Sequence, residues 1–242
     1  VNGLAHRGIL MLDYSYSKIG NILNNYDDLK ENTLGIVVDA GAVPYFSQWK
    51  AYDYTLNEVF FNDLELRSPD HYLEVVGGNL GETVGNIMAK SYSLLLETKP
   101  DAILILGDTN SSLCAVMAKR LKIPIFHMEA GNRCFDQNVP EEINRKISDH
   151  ISDINLAYTE HSRRYLLSEG FRKDHIFVIG SPLREVLNKY ANKIQESNIV
   201  SRLNLRDNSY FVVSAHREEN IDLNDNFEIL SESLNSVAEK YQ

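Results

Sequence analysis

Acidic and basic side chains recur in this sequence where an apolar segment gives way to the next helical pattern. Asp108 and Glu129 each follow an apolar run, and Glu141 opens the helical segment 140–151 together with Arg145. In an open parallel α/β sheet, ligands bind at the edge formed by the carboxyl ends of the strands. Three carboxylates with arginines beside them at that edge are suited to moving a proton on an anionic substrate.

A basic group near the end of the chain extends this pattern. His216, Arg217 and Asn220 follow the apolar residues 210–214, so they are also expected at a strand's carboxyl end. Two adjacent cationic side chains in that position suit a diphosphate. The alternatives are solvated loop charges or a histidine of the core, and the sequence leaves these open.

Each carboxylate also has a purely structural interpretation. Asp108 is placed to cap the next helix, and Glu129 to form an ion pair with Arg133 or Arg145. Glu141 and Arg145 are four residues apart, which on a helix allows a plain salt bridge. The functional interpretation rests on all three carboxylates meeting at one edge.

Neighbouring residues refine the expected site. Ala130 and Gly131 are small, so we expect space for a substrate beside Glu129. His127 alternates with Met128 along a strand pattern and lacks companions at metal-ligand spacing, which indicates a structural role. The glycine-rich loop 77–82 is expected to hold a phosphate or simply to make a turn. Neither a dinucleotide fingerprint nor a P-loop occurs, so a bound NAD or ATP lacks support.

The elements that must position these residues alternate between strand and helix patterns. This alternation predicts a Rossmann-like, doubly wound α/β fold with a parallel sheet. The polar stretch 188–209 is the best candidate for a boundary, and only a strand and a helix follow it. The predicted strands are residues 33–38, 73–76, 102–106, 124–128, 154–157, 176–179 and 210–214. The predicted helices are residues 19–29, 56–64, 80–95, 111–121, 140–151, 159–169 and 227–237.

Composition sets the broad class. The 242 residues are 43% hydrophobic with a net charge of −10, which fits a globular protein and argues against a general nucleic-acid binder. No apolar run is long enough to cross a bilayer, so membrane insertion is not expected. Two cysteines without a CxxC or a Cys/His cluster argue against a zinc site or a disulfide framework, so a reducing cytoplasm is the expected location.

Several motifs together resemble the UDP-N-acetylglucosamine 2-epimerase family over about residues 52–242. Their order and spacing match the family, and the combination is far more specific than any single piece. The segment Asn132-Arg133-Cys134-Phe135-Asp136 stands where many members carry a Leu-Arg-Thr sequence, and it resembles a capsule and O-antigen branch. The matching motifs are Gly107-Asp108-Thr109, His127-Met128-Glu129-Ala130-Gly131, Pro140-Glu141-Glu142-Ile143-Asn144-Arg145, Ser162-Arg163, Gly180-Ser181-Pro182 and His216-Arg217-Glu218-Glu219-Asn220.

The resemblance implies a GT-B-type architecture of two Rossmann-like domains and a UDP-activated amino sugar as substrate. It implies a reaction without metal or NAD, in which UDP is eliminated as C2 loses its proton and then adds back. In the branch indicated, the substrate is UDP-2-acetamido-2,6-dideoxy-L-talose and the product UDP-N-acetyl-L-fucosamine. A homodimer is also implied. The catalytic candidates carried over are Asp108, Glu129, Glu141 and His216, and the substrate-binding candidates are Arg133, Arg145, Arg217 and Asn220.

The sequence departs from the family at both ends. Residues 1–50 lack the family's Gly-Thr-Arg-Pro-Glu turn, and the chain reaches Gln242 before the family's later uridine-binding segments. We therefore expect an N-terminal domain over 1–180, atypical at 1–50, and an incomplete second domain over 181–242. Three functions stay open: epimerisation of the fucosamine precursor or of UDP-N-acetylglucosamine, a non-catalytic fragment or binding protein of this fold, and a GT-B glycosyltransferase.

Overall fold

A parallel sheet forms the centre of the described chain. The computed structural model describes residues 34–38, 64–65, 70–213 and 224–240, with the backbone alone at 34–38. Its five strands lie in the order β1-β2-β3-β4-β5, and every neighbouring pair is parallel. The strands are β1 Leu34–Val38, β2 Ala102–Leu106, β3 Ile125–Ala130, β4 Ile154–Ala157 and β5 Ile176–Val178.

Helices connect the strands, as parallel pairing requires. A short 3₁₀ turn, Asn110–Leu113, precedes α2, so the predicted helix 111–121 begins in the tighter form. The α-helices are α1 Leu80–Thr98, α2 Cys114–Arg120, α3 Pro140–Ile151, α4 Glu160–Ser168, α5 Leu183–Lys189, α6 Ala191–Gln195, α7 Ile199–Arg202 and α8 Asn224–Lys240.

Strands β2, β3 and β4 are buried on both faces of the sheet, as is usual for parallel sheets. Ile103 and Ile105 point to one face, where they pack with side chains of α1 and α2. Leu104, Phe126 and Leu156 belong to a second buried cluster on the opposite face. The prediction of a Rossmann-like parallel α/β fold is thereby confirmed.

Two predicted strands are wrong within the described residues. Residues 73–76 are not a strand because helix α1 takes up their carbonyl groups: Lys90 donates to the Glu74 oxygen and Asn86 to the Val75 oxygen. Glu74 also has a left-handed φ of 47°, which interrupts an extended segment. Residues 210–213 are likewise outside any strand and are exposed, whereas residue 214 lies outside the described part. The predicted helix 19–29 and residues 56–63 of the predicted helix 56–64 also lie outside the described residues, and residue 64 is in a turn.

The chain divides into two compact units, Val1–Asn188 and Lys189–Gln242. The first contains the sheet, and the second contains α6, α7 and α8. The predicted boundary after residue 180 falls eight residues before this division, and the incomplete second domain stays a prediction. None of the described helices combines the length and the apolar character that crossing a bilayer requires.

Candidate active site

The carboxyl ends of β2 and β3 bring two of the predicted site segments together. In β3 the register shifts between Met128 and Ala130, so Glu129 forms a bulge and takes a left-handed φ of 67°. Gly107 follows β2 with a φ of 84°, and a Cβ placed on it would lie 3.8 Å from Glu129 Oε2. The bulge therefore aims the Glu129 carboxylate at the start of the segment that carries Asp108.

Asp108 is fixed by an arginine from α3. The guanidinium of Arg145 donates from Nε to Asp108 Oδ2 at 2.8 Å, and its Nη2 forms an ion pair with the same oxygen at 2.6 Å. Thr109, and not Asp108, precedes the 3₁₀ turn as its cap residue, and no side-chain bond is made there. The interpretation of Asp108 as a helix cap is therefore wrong, and Asp108 belongs to an ion pair at the edge of the sheet.

Glu129 has an environment suited to holding a proton. Burial raises the pKa of its carboxyl above the ordinary value of 4.5, and the negative charge of Asp108 raises this pKa further. Arg145 and His127, through their charges, and Asn132, through a hydrogen bond, act in the opposite direction without cancelling the rise. A carboxylate with a raised pKa is a better match for proton transfer near neutral pH.

The two adjacent glutamates of α3 have different surroundings. Glu142 is fully buried and accepts hydrogen bonds from the backbone N–H groups of Cys134 and Phe135, at 3.1 and 3.3 Å. Arg145 and Lys146 add ion pairs at 3.1 and 3.3 Å. Burial alone would raise the pKa of Glu142, but the hydrogen bonds from the Cys134 N–H and Sγ and the ion pair with Lys146 outweigh it, and the pKa is lowered. Glu142 is thus the carboxylate that holds the loop between β3 and α3.

Glu141 is half-buried, and neither arginine named in the sequence analysis pairs with it. Arg145 bonds Asp108 and Glu142, so the expected Glu141–Arg145 helix bridge is wrong. The expected ion pairs of Glu129 with Arg133 or Arg145 are absent too, within the described residues. Glu141 is therefore not committed to the ion pairs that fix α3, and its catalytic role stays a prediction.

Arg133 lies in a buried ionic cluster. Its Nε and Nη2 donate to the two oxygens of Glu169 at 2.7 and 2.6 Å, and its Nη1 donates to Asp149 Oδ2 at 2.7 Å. The side chains of Arg133 and Asp149 are 0% exposed. The two acids raise the pKa of Arg133, although burial acts against this. The contacts of Arg133 are those of a residue that positions the loop, and direct substrate binding by it stays a prediction.

Asp149 ties this cluster to both sides of Glu129. Its Oδ1 contacts His127 Nδ1 at 2.8 Å, and its Oδ2 accepts from the backbone N–H of Gly131 at 3.1 Å. The other His127 nitrogen, Nε2, lies 2.9 Å from the Gly107 carbonyl oxygen. Both ring nitrogens therefore have a polar partner inside the protein, and the imidazole is fixed between the end of β2 and α3. His127 is therefore structural, as its position on the strand predicted.

Sequence reasoning missed Asp149, Glu142 and Glu169 as organisers of this site. Periodicity could not have found them in α3, because Ile143 and Ile147 share a face that periodicity would assign to the core. In the structure these isoleucines are 46% and 36% exposed, and the polar face turns inward. The buried polar residues of α3 are Glu142, Asn144, Ser148 and Asp149.

Gly131 does not provide room for a substrate, contrary to expectation. A Cβ at this position would lie 2.4 Å from the Ser162 carbonyl oxygen and 2.9 Å from Leu166 Cγ. Ala130 is fully buried in a cluster with Leu166 and residues of β4 and β5. The small side chains instead let the end of β3 pack directly against α4.

The glycine-rich loop before α1 is occupied by its own turn. Asn79 caps the helix by accepting from the Glu82 N–H at 2.9 Å, and Glu82 accepts from the Gly78 N–H at 2.7 Å. The Gly77 N–H donates to Thr83 Oγ1 at 3.0 Å. This reciprocal capping favours the turn over the phosphate interpretation.

His216, Arg217 and Asn220 lie outside the described residues, so their predicted contact with a diphosphate stays a prediction. Across the part of the chain that the structure describes, no group of three or more His, Cys, Asp or Glu is arranged to hold a metal ion.

The fold and the site together define a Rossmann-like α/β domain with ionisable groups at the carboxyl edge of its sheet. The family model described as UDP-N-acetylglucosamine 2-epimerase matches residues 50–242. The chain therefore belongs to the UDP-N-acetylglucosamine 2-epimerase family.

Individual relatives agree with this assignment. The UDP-N-acetylglucosamine 2-epimerase of Methanocaldococcus jannaschii is 36% identical over 194 residues, which are 78% of this chain and 53% of that protein. A UDP-2,3-diacetamido-2,3-dideoxy-D-glucuronate 2-epimerase of Pseudomonas aeruginosa is 33% identical over 190 residues, 77% of this chain and 52% of that protein. The chain thus spans about half the length of the curated relatives it matches.

Solved structures show the same likeness. A UDP-N-acetylglucosamine 2-epimerase from Rickettsia bellii is 51% identical with a TM-score of 0.72, over 78% of this chain and 50% of that one. The Methanocaldococcus jannaschii enzyme in complex with UDP-GlcNAc and UDP is 34% identical with a TM-score of 0.73, over 78% of this chain and 53% of that one.

Proposed function

We propose that this chain carries the acid/base site of a UDP-sugar 2-epimerase that inverts C2 of a UDP-2-acetamido sugar. The observation that carries the proposal is the meeting of Glu129 and Asp108 at the carboxyl edge of β2 and β3, with Arg145 bonded to Asp108 at 2.6 Å. Family membership supports the reaction class, since relatives that match over three quarters of this chain are named 2-epimerases.

In the proposed reaction a carboxylate removes the C2 proton while the C1–O bond to UDP breaks. The C2–H electron pair becomes the C1=C2 double bond of a glycal, and UDP carries away the C1–O pair. UDP then adds back to C1, and an acid returns a proton to the opposite face of C2. Glu129, Asp108 and Glu141 are the proposed acid/base groups, because two-faced proton transfer needs more than one.

The departing diphosphate needs cations or hydrogen-bond donors to stabilise its charge. We propose His216, Arg217 and Asn220 for that role, on the strength of their motif. Arg145 is proposed to hold Asp108 at the substrate, and Arg133 to shape the loop around it. Elimination formally reduces C1 and oxidises C2 by equal amounts, and readdition reverses both changes, so the reaction needs no added oxidant or reductant.

For the substrate we propose UDP-2-acetamido-2,6-dideoxy-L-talose, which would give UDP-N-acetyl-L-fucosamine for capsule or O-antigen polysaccharide. The segment Asn132-Arg133-Cys134-Phe135-Asp136 supports this choice. UDP-N-acetylglucosamine, giving UDP-N-acetylmannosamine, is the second candidate, favoured by the names of most similar relatives. Relatives named for different sugars have similar identities of 36% and 33%, so identity does not choose between the substrates.

The test is proton NMR of this 242-residue chain in deuterated water with each sugar separately. We expect the C2 proton signal to disappear as the epimer forms, and the faster sugar identifies the substrate. Glu129→Gln should lower the exchange rate by about 100-fold or more. Glu97→Gln, an exposed glutamate of α1, is the matched control and should leave the rate unchanged. No exchange from a folded sample with either sugar would favour a non-catalytic chain, and sugar transfer to an acceptor without C2 exchange would favour a glycosyltransferase.

We also propose that the protein acts in the cytoplasm as a homodimer, as its resemblance to the family implies. Analytical ultracentrifugation tests the second statement, and a sedimentation coefficient of a monomer at micromolar concentration would contradict it.

A further inference from the structure

We propose that Asn132 is a positioning residue for Glu129, holding its carboxylate ionised and oriented for removal of the C2 proton. The inference rests on the proposed function of Glu129 as a base. Asn132 Nδ2 donates to Glu129 Oε1 at 3.2 Å, so an uncharged side chain contacts the group that is proposed to react.

Asn132 is itself held by a chain of hydroxyl groups. Ser162 Oγ donates to Asn132 Oδ1 at 3.0 Å, and the Ser162 and Thr159 hydroxyls lie 3.0 Å apart. Thr159 Oγ1 also accepts from the Ser162 backbone N–H at 3.1 Å, because Thr159 is the cap residue of α4. Four residues thus form one line from the helix cap to the carboxylate.

The count of protons sets the direction of every bond in this line. An ionised carboxylate only accepts, so the amide of Asn132 must turn its NH₂ toward Glu129. The amide oxygen then faces Ser162, whose single hydroxyl proton is donated to it. The Thr159 hydroxyl consequently donates to Ser162. A protonated Glu129 carboxyl is a weaker hydrogen-bond acceptor than the carboxylate. The bond from Asn132 therefore stabilises the ionised form of Glu129.

Backbone geometry makes this line possible. Gly131 packs its backbone against the Ser162 carbonyl, leaving no room for a Cβ, and so delivers the next residue, Asn132, to α4. Ser162 is 4% exposed, which protects its bond to Asn132 from water. Since Glu129 lies on the β3 bulge two residues before Gly131, a single tight turn presents both ends of the Asn132 side chain to their partners.

Charged and titratable groups from β3 itself and from neighbouring elements surround Glu129. Asp108 follows β2, His127 lies on β3, Arg145 comes from α3 and Tyr158 follows β4. Burial and Asp108 raise the pKa of Glu129, whereas Arg145, His127 and the Asn132 bond lower it. Arg145 is already bonded to Asp108 and Glu142. Within residues 70–213, Asn132 is the side chain whose hydrogen bond sets the direction of the carboxylate.

The test compares Asn132→Leu with the unaltered chain in two measurements. Leucine has nearly the shape of asparagine but donates no hydrogen bond. We expect the carboxyl titration of Glu129, followed by carbon-13 NMR and assigned with Glu129→Gln, to move to higher pH. The acid limb of C2 proton exchange should move the same way, because the base must be ionised. Exchange should fall roughly tenfold on that limb. A smaller loss should remain on the plateau at higher pH, where only the orientation of the carboxylate is affected.

Ser162→Ala is the second variant, since it frees the Asn132 amide without removing it, and we expect a smaller shift in the same direction. Asn138→Leu is the control: this exposed asparagine of the same loop bonds Asp136 and should leave both curves unchanged. A Glu129 titration that stays in place in Asn132→Leu would overturn the inference. If the unaltered chain shows no C2 exchange, the proposed function fails by itself, and the titration still decides the role of Asn132.

Discussion

Arg145 donates from Nε to Asp108 Oδ2 at 2.8 Å, and its Nη2 forms an ion pair with the same oxygen at 2.6 Å, across 37 positions of sequence. The bond joins α3 to the segment after β2, two elements that are separated by β3 in the chain. Its remaining nitrogen, Nη1, reaches Glu142 at 3.1 Å. One guanidinium therefore fixes both a proposed catalytic acid and the carboxylate that holds the neighbouring loop.

Replacing Arg145 should affect stability and the pH profile together. Arg145→Ala leaves the buried Glu142 and the half-buried Asp108 without this cation, so we expect a loss of about 3 kcal/mol in the free energy of unfolding. The acid limb of C2 exchange should move to higher pH, since Arg145 lowers the pKa of Glu129. Urea unfolding and the pH–rate profile measure the two effects. Arg172→Ala breaks an exposed, solvent-screened pair with Asp174 and should cost far less than Arg145→Ala. An equal loss in both variants would contradict the role given to Arg145.

Glu129→Gln should stabilise the protein at neutral pH while removing its exchange activity. The pKa of Glu129 is raised in the folded chain, so folding opposes its ionised form. The loss of folding free energy caused by ionising Glu129 is absent below the ordinary carboxyl pKa of 4.5. It is fully present above the raised pKa of the folded protein. The gain in the variant should therefore appear as pH rises through that window. Thermal unfolding from pH 4 to 8 is the measurement, and a gain that is independent of pH would be inconsistent with it.

Replacing Glu142 should lower stability, whereas replacing its neighbour Glu141 should lower activity. Glu142→Gln loses ion pairs to Arg145 and Lys146, and we expect it to lower the free energy of unfolding by about 2 kcal/mol. Because the pKa of Glu142 is lowered on folding, this stabilisation exists above the ordinary value of 4.5 and fades as pH falls through the lowered pKa. Glu141→Gln should keep full stability and reduce C2 exchange. Urea titrations at pH 7 and pH 3, with exchange assays at pH 7, distinguish these outcomes; a stability loss confined to Glu141→Gln would reverse the assignment.

Asp149→Asn should disrupt the buried ionic cluster. The variant removes the charge that faces both His127 and Arg133, at 2.8 and 2.7 Å. His127 then loses its carboxylate partner, and Arg133 keeps only its pair with Glu169. Breaking a buried ion pair by removing one partner costs about 3–5 kcal/mol. Chemical unfolding measures this, with Asp174→Asn as the exposed control. A cost below about 1 kcal/mol, the range of surface pairs, would show that the cluster does not hold the Glu129 turn.

Gly131 and Gly170 form a matched pair of glycines with left-handed φ, at 79° and 91°. A Cβ on Gly170 meets nothing within 4 Å, so alanine there bears only backbone strain of about 1–2 kcal/mol. A Cβ on Gly131 would lie 2.4 Å from the Ser162 carbonyl oxygen. Gly131→Ala should therefore cost clearly more in thermal unfolding and should also slow exchange by displacing Asn132. Equal losses of thermal stability in the two variants would mean that α4 moves aside for the added Cβ without destabilising the protein.

Local patterns were sufficient to predict most elements of the first unit. The predicted helix 140–151 matches α3, because proline suits a first helical turn and the pattern ends where Ser152 turns extended. Thr159 caps α4 as predicted, with its side chain accepting from the Ser162 N–H. The position of Asp108 and Glu129 at one edge was predicted because each follows a strand and parallel strands end at the same edge of a sheet. These features depend on neighbours within a few residues, so the sequence carries them directly.

The partners of the charged residues were decided by the tertiary structure. Apolar periodicity alone would put Ile143 and Ile147 inside, yet α3 turns its polar face inward because Glu142 and Asp149 bond the loop and strand next to it. The role of Asn132 depends on a bond to Ser162, 30 residues away. A sequence pattern reports the period of one element, whereas the register of a bulged strand against a helix fixes which polar atoms meet.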